Sequence, residues 1–106
     1  MENYKEFLEK TKKSKERYDD LTFLIMKPEI IADNREWKKL VKEHNSLEDI
    51  ANAYSSLLSL SQNLEKCEQD VKNEQDQEMK AIFESEIEEL KEKIEKQIEE
   101  IRILLL

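Results

Sequence analysis

The fold is decided by residues 83–104, which read FESEIEELKEKIEKQIEEIRIL. Apolar side chains recur in this stretch at steps of four and three, and Glu and Lys fill most positions between them. This heptad spacing predicts an amphipathic helix that packs its apolar seam against a partner helix. The predicted seam consists of Phe83, Ile87, Leu90, Ile94, Gln97, Ile101 and Leu104. We therefore expect a helix over residues 77–105, with Asp76 as its N-cap.

A second and longer helical pattern precedes this one, and the polar turn 73–76 separates the two. The pattern predicts a helix over residues 34–72, capped by Asp33 with Glu36 three residues later. At about 1.5 Å per residue this helix would be roughly 58 Å long, so the molecule should be elongated. Its apolar stripe is predicted to be Trp37, Leu40, Val41, His44, Leu47, Ile50, Ala51, Tyr54, Leu57, Leu58, Leu64 and Val71.

The first stripe in the chain runs from Tyr4 to Ile25 and predicts a helix over residues 4–26. Pro28 ends this helix, because proline disfavours the helical conformation in the residue before it. Residues 28–32 should form a short connector whose isoleucines tuck against the helices. Short connections imply antiparallel neighbours. The predicted fold class is all-α: an elongated three-helix arrangement in which the second and third helices form a long antiparallel hairpin and the shorter first helix packs along it.

The composition supports helices and excludes several classes of protein. The 106 residues include no glycine and one proline, and 42% of them are charged. Sheet proteins rely on glycine in their tight turns, whereas a glycine-free chain rich in Glu, Lys, Leu and Ile favours helix. The net charge is −8, and residues 40–106 hold the excess with eight basic and seventeen acidic side chains. An acidic balance argues against a general nucleic-acid coat.

The chain shows the features expected of a cytoplasmic domain. Its single cysteine cannot form an internal disulfide, and the segment from Met1 onward has no apolar signal core. No apolar run approaches the ~20 residues of a membrane span, so no membrane partner is expected. The apolar end 103–106 suggests a chain cut at a domain boundary. We therefore interpret residues 1–106 as a single helical domain of a longer protein.

The sequence gives no sign of catalytic chemistry. His44 is the only histidine and has no second ligand nearby, so it is interpreted as a packed, hydrogen-bonded residue rather than a metal ligand. Cys67 lies between Lys66 and Glu68 on a helix expected to be exposed, without an adjacent base. The carboxylates of the last helix spread around it and do not converge as a calcium site requires. We predict no enzyme, with no catalytic residue, cofactor, metal or small-molecule ligand.

Two features could serve recognition instead. The first helix carries five basic residues within eight positions, which we name the first-helix cluster: Lys10, Lys12, Lys13, Lys15 and Arg17. This cluster could contact an RNA backbone, or it could provide solubility balanced by neighbouring Glu residues. Trp37 could be a hot spot for a partner or, as we favour, the anchor of a helix start in the core.

Six segments carry a family resemblance over nearly the whole chain. They are ERYDDL at 16–21, KPEIIAD at 27–33, LVKEHNSLE at 40–48, IANAY at 50–54, DQEM at 76–79 and the closing stretch 88–106. In this order they resemble the N-terminal domain of bacterial class I peptide chain release factors. That family often has proline after both capping aspartates, where Asn34 and Gln77 stand here. The region of His44 and Tyr54 is more similar to the factor that reads UAA and UAG.

The resemblance implies a division of labour. In that family the codon-reading tripeptide and the Gly-Gly-Gln loop, which promotes hydrolysis of peptidyl-tRNA, lie in later domains that this glycine-free chain lacks. The N-terminal domain is a helical arm near the stalk base of the large ribosomal subunit, where the class II release-factor GTPase acts. The chain is therefore expected to serve translation termination by docking, with the ribosome and that GTPase as partners. The first-helix cluster is the candidate ribosomal contact.

Two other functions remain open from the residues alone. The heptad seam of residues 83–104 is also typical of a self-standing coiled-coil adaptor or oligomerisation module. The first-helix cluster by itself is compatible with an RNA-binding module. We expect the isolated chain to be a monomer or a weak dimer.

Overall fold

The computed structural model describes residues 3–106, and these residues form four α-helices. The helices are α1 (Tyr4–Leu24), α2 (Pro28–Ala32), α3 (Asn34–Asn73) and α4 (Gln77–Leu104). The predicted all-α class is confirmed, but the predicted number of three helices was wrong. Met1 and Glu2, which begin the segment searched for a signal core, lie outside the described residues.

The additional helix is α2, which occupies the predicted connector. Pro28 stands at its first position, where its missing N–H and fixed φ suit a helix start. The backbone N–H groups of Ile30 and Ile31 both donate to the carbonyl of Lys27, at 3.1 and 3.0 Å. Ile30 is half-buried, whereas the side chain of Ile31 is 53% exposed. The expectation that both isoleucines tuck against the helices was therefore wrong for Ile31.

Short polar side chains begin the three long helices. Asn3 accepts a hydrogen bond from the N–H of Lys5, Asp33 from that of Glu36, and Asp76 from that of Glu78. Each bond satisfies one of the backbone donors that the first turn of a helix leaves unpaired. The predicted caps Asp33 and Asp76 are confirmed.

Helix α3 lies between α1 and α4, and α1 runs antiparallel to it. Near the start of α1, the hydroxyl of Tyr4 donates to the carboxylate of Glu65 at 3.4 Å. Beyond its end, the indole Nε1 of Trp37 donates to the carbonyl of Ile25 at 3.1 Å. Trp37 thus fixes the C-terminal end of α1 to the first turn of α3, as expected of an anchor at a helix start, but its expected place in the core was wrong, since it is half-buried and lies outside the core cluster.

The core lies where α1, α3 and α4 overlap. Its buried members are Phe7 from α1, Ala53, Leu57 and Leu64 from α3, and Ile94, Ile98 and Ile101 from α4. Partly buried residues around them, including Tyr4, Leu8, Leu60 and Leu104, extend the apolar contact along the helices. Among residues 3–106, every buried side-chain nitrogen or oxygen has a hydrogen-bond partner.

Helix α3 buries two different faces, where the sequence predicted a single stripe. Leu40 and Ala51 face α1, whereas Ala53, Leu57, Leu64 and Cys67 follow heptad steps toward α4. Ala53 and Cys67 were not in the predicted stripe. The observed seam of α4 differs from the predicted one at one position, because Ile98 is 1% exposed whereas Gln97, which was predicted to lie in the seam, is only half-buried.

The molecule is elongated. Its extents are 63 × 29 × 16 Å and its Cα radius of gyration is 18.7 Å, against about 13 Å for a compact chain of this length. The three long helices overlap only in the middle. In the described residues 3–106, one end consists of α1, α2 and the first half of α3, and the other consists of α3 and α4.

Candidate interaction surface

The first-helix cluster does not form one patch. Residues three or four apart share a helix face, so Lys10, Lys13 and Arg17 lie along one flank of α1. Lys12 and Lys15 lie along the opposite flank, and the buried stripe of Phe7 and Thr11 separates the two. The sequence prediction brought five residues together, but the helix distributes them over two sides.

Three members of the cluster are engaged within the molecule. The ammonium of Lys10 lies 3.1 Å from Glu6 and 5.3 Å from the ring centroid of Phe7. The half-buried Lys15 pairs with Asp19 at 2.9 Å. Ion pairs of this i,i+4 type stabilise the helix modestly and reduce the charge offered to a partner.

Arg17 makes the strongest of these contacts. Its Nε and Nη2 donate to the two carboxylate oxygens of Glu43 at 2.7 and 2.8 Å, which joins α1 to α3. The paired guanidinium holds the pKa of Glu43 below its ordinary value, and the same hydrogen bond raises the pKa of Arg17. Bidentate arginine–carboxylate pairs fix relative orientation as well as charge. Arg17 therefore has a structural role.

Lys12 and Lys13 are the members of the cluster that remain available. Both are exposed, and neither forms an ion pair with any residue in the range 3–106. Two exposed acids, Glu9 and Glu16, lie on the outer side of α1, between the flank that carries Lys12 and the flank that carries Lys13. The surface that the sequence predicted is thus reduced to two lysines with adjacent carboxylates.

His44 is a packing residue of the α1–α3 interface. Its ring stacks on Tyr18 with centroids 4.2 Å apart and planes 17° apart. Its Nε2 shares a hydrogen bond of 2.9 Å with the hydroxyl of Thr22, which itself donates to the carbonyl of Tyr18. This arrangement agrees with the interpretation of His44 as packed and hydrogen-bonded.

Cys67 is buried, which corrects the exposed position expected for it. The thiol points toward α4 and donates to the carboxylate of Glu86 at 3.4 Å. Burial and the nearby Glu86 raise the pKa of Cys67, so the reactive thiolate is disfavoured. In the described part of the chain, no three His, Cys, Asp or Glu side chains are placed to hold a metal ion.

A basic surface that sequence reasoning missed lies at the start of α3. We name it the α3 strip, and it consists of Arg35, Lys38, Lys39 and Lys42, all exposed. Steps of three, four and seven put them on one helix face. The sequence shows this spacing, but the prediction rested on the denser run of basic residues in the first helix.

None of the helices in residues 3–106 is long and apolar enough to cross a membrane.

Comparison with known proteins identifies relatives of the chain. The family model of the PCRF domain matches residues 14–106. Proteins called peptide chain release factor 1 are similar to it: that of Syntrophomonas wolfei is 39% identical over 93% of this chain and 28% of its own length. Those of Clostridium perfringens and Alkaliphilus oremlandii are 41% and 42% identical over 85% and 86% of this chain, and over 25% and 26% of theirs. The chain thus spans about a quarter of the length of these relatives, and no solved structure matches it.

Proposed function

The chain belongs to the PCRF domain family, and we propose that it serves translation termination as the ribosome-docking and factor-interaction domain of a class I peptide chain release factor. The observation that carries the proposal is its 39% identity, over 93% of its residues, to a protein called peptide chain release factor 1. The whole factor would read UAA and UAG and promote hydrolysis of peptidyl-tRNA through domains outside this sequence.

Residues 1–106 would act in that factor as the helical N-terminal domain, without catalytic chemistry of their own. Support comes from the buried thiol of Cys67, the packed ring of His44 and the absence of glycine for a Gly-Gly-Gln loop. An elongated helical arm 63 Å long offers an extended surface to a large partner in the cytoplasm. We propose the stalk base of the large subunit and the class II release-factor GTPase as partners.

Co-sedimentation of the 106-residue chain with 50S ribosomal subunits tests the docking role. We expect the chain to pellet with 50S subunits, and the variant with Lys12→Glu and Lys13→Glu to pellet less if the first-helix cluster touches the ribosome. A variant with Lys93→Glu and Lys96→Glu changes the charge equally on an exposed part of α4 and is the matched control.

A wild-type chain that stays in the supernatant with 50S subunits would contradict the docking role. Sedimentation velocity of the chain alone addresses the coiled-coil adaptor, since a stable dimer at low micromolar concentration would favour that alternative. A monomer that pellets with 50S subunits would favour the termination domain.

A further inference from the structure

We propose that the α3 strip binds the phosphate backbone of RNA. The four side chains of the strip are Arg35, Lys38, Lys39 and Lys42, and each is exposed. The first and last are seven positions apart, so the strip is about 10.5 Å long. No acidic residue lies on this face between them, and none of the four forms an ion pair with a residue of the described range 3–106.

Within the described residues 3–106, α4 does not cover the strip. The face of α3 that carries the strip is the same face that further along buries Ala53, Leu57 and Leu64 against α4. Cys67 contacts Glu86 near the start of α4, and Ala53 shares the core with Ile101 near its end. These contacts pair α4 with the part of the antiparallel α3 around residues 53–67, whereas residues 35–42 on the same face of α3 are exposed and basic.

The carboxylate of Glu43, next to Lys39, is already occupied. Lys39 lies close enough to Glu43 to help lower its pKa, but both oxygens of Glu43 accept hydrogen bonds from Arg17. The next acid on the strip face is Asp49, seven residues and about 10.5 Å beyond Lys42. The strip thus differs from the first-helix cluster, in which three of five cations are paired within the molecule.

The chemistry of the strip favours RNA over an acidic protein. Interfaces between proteins are depleted in lysine and rely on apolar or aromatic anchors, and the strip has three lysines with no apolar residue on its face. Lysine on a flexible stem suits a phosphate backbone, where a point charge is sufficient. The remaining surface is acidic, with a net charge of −8 for the chain, and would repel RNA from other faces.

This inference deepens the proposed docking role and rests on it for where RNA would be met. The binding surface itself consists of residues of α3 alone. The two can therefore fail separately, because naked RNA tests the strip and 50S subunits test the docking role.

The test measures fluorescence anisotropy of a labelled RNA hairpin titrated with the 106-residue chain. At about 50 mM salt we expect a Kd on the order of 10⁻⁵ to 10⁻⁴ M, with a slope of log K against log salt near −3 because up to four cations neutralise phosphates. The variant with Lys38→Gln, Lys39→Gln and Lys42→Gln should bind roughly tenfold more weakly and show a slope near −1. The control with Lys72→Gln, Lys93→Gln and Lys96→Gln changes net charge equally and should bind like the wild type.

Circular dichroism verifies that both variants keep their helices, so that a loss of binding reports on the strip. Absence of RNA binding up to about 1 mM chain, or equal loss in the strip and control variants, would overturn the inference. Equal affinity for labelled poly-glutamate would also overturn it, in favour of an acidic protein partner. If the wild type pellets with 50S subunits but the strip variant binds the hairpin normally, the inference fails while the docking role stands.

Discussion

Arg17 forms an ion pair that joins α1 to α3. Its guanidinium donates to both oxygens of Glu43 and thereby neutralises an acid that adjoins the α3 strip. Because the pair lowers the pKa of Glu43, the folded state binds a proton at this carboxyl less readily than the unfolded chain does. The pair therefore stabilises the fold above the unfolded pKa of Glu43, and this contribution is lost as the pH falls through the folded pKa.

Replacing Arg17 by Gln should raise the pKa of Glu43 toward its ordinary value of 4.5. Carboxyl NMR titration of the wild type and the variant measures this directly. The melting temperature of the variant should lie below that of the wild type at neutral pH, and the difference should narrow below the folded pKa. Lys13→Gln is the control, since Lys13 has no contact with Glu43. An unchanged Glu43 titration in the Arg17 variant would show that the bidentate pair is absent in solution.

Cys67 should react slowly with thiol reagents, because burial and Glu86 both raise its pKa. Glu86→Gln removes the negative charge and should make the thiol react faster with a disulfide reagent near pH 8. Burial remains, so the rate should stay below that of a free cysteine. Glu84→Gln on the same helix is the control and should leave the rate unchanged. A wild-type rate as fast as that of free cysteine would contradict the buried position.

At the scale of the elements, α3 explains which part of the fold the sequence could predict. Its length and caps followed from local rules, since Asp33 precedes a long run without breakers. Its two buried faces did not, because Ala53 and Cys67 are too small to stand out as apolar positions. A helix that packs against neighbours on two sides has apolar residues on both of these faces, so its amphipathic periodicity is weak. For this reason Leu40 and Leu57, which lie on different faces, were assigned to the same predicted stripe.

The candidate surface was less predictable than the fold for a related reason. The sequence shows how many cations a helix carries but not which of them are neutralised across a helix interface. Arg17 and Glu43 are 26 residues apart, so only packing brings them together. The α3 strip becomes distinctive once this pairing and the part of α3 that packs against α4 are known.

The packing face of α4 provides a test at the same scale. Ile98→Ala should destabilise the fold by about 2–5 kcal/mol, because the residue is fully buried in the core. Gln97→Ala should cost no more than about 0.5 kcal/mol, since Gln97 is half-exposed and its side chain donates to Glu100 on its own helix. Urea unfolding followed by circular dichroism measures both. The reverse order would mean that α4 is rotated by one residue about its axis.

At the scale of the whole molecule, stability should be distributed unevenly. The buried residues of three helices meet only around Phe7, Leu57 and Ile98. Toward the turn 74–76, the described residues of α3 pack against α4 and those of α4 against α3 without a third helix, and at the other end Phe23 and Met26 are 72% and 70% exposed. Regions with few buried contacts open locally at lower free energy than a core does.

Hydrogen exchange should therefore be slowest for amides of residues 53–64 and 94–101. Amides near the turn 74–76 and in α2 should exchange faster by orders of magnitude, since they open without unfolding the centre. Mass spectrometry of peptic fragments over a time course resolves these segments. Uniform protection along α3 would indicate that the molecule opens only as a single unit.

The uninterrupted course of α3 has a mechanical consequence. Forty residues of continuous helix form a rod about 60 Å long, and its two ends belong to different local packings. If the whole rod tilted by about 10° about one end, the other end, at α2 or at the turn 74–76, would move by roughly 10 Å. The domain is built as a lever, in which a small angular adjustment at one contact becomes a large translation at the other.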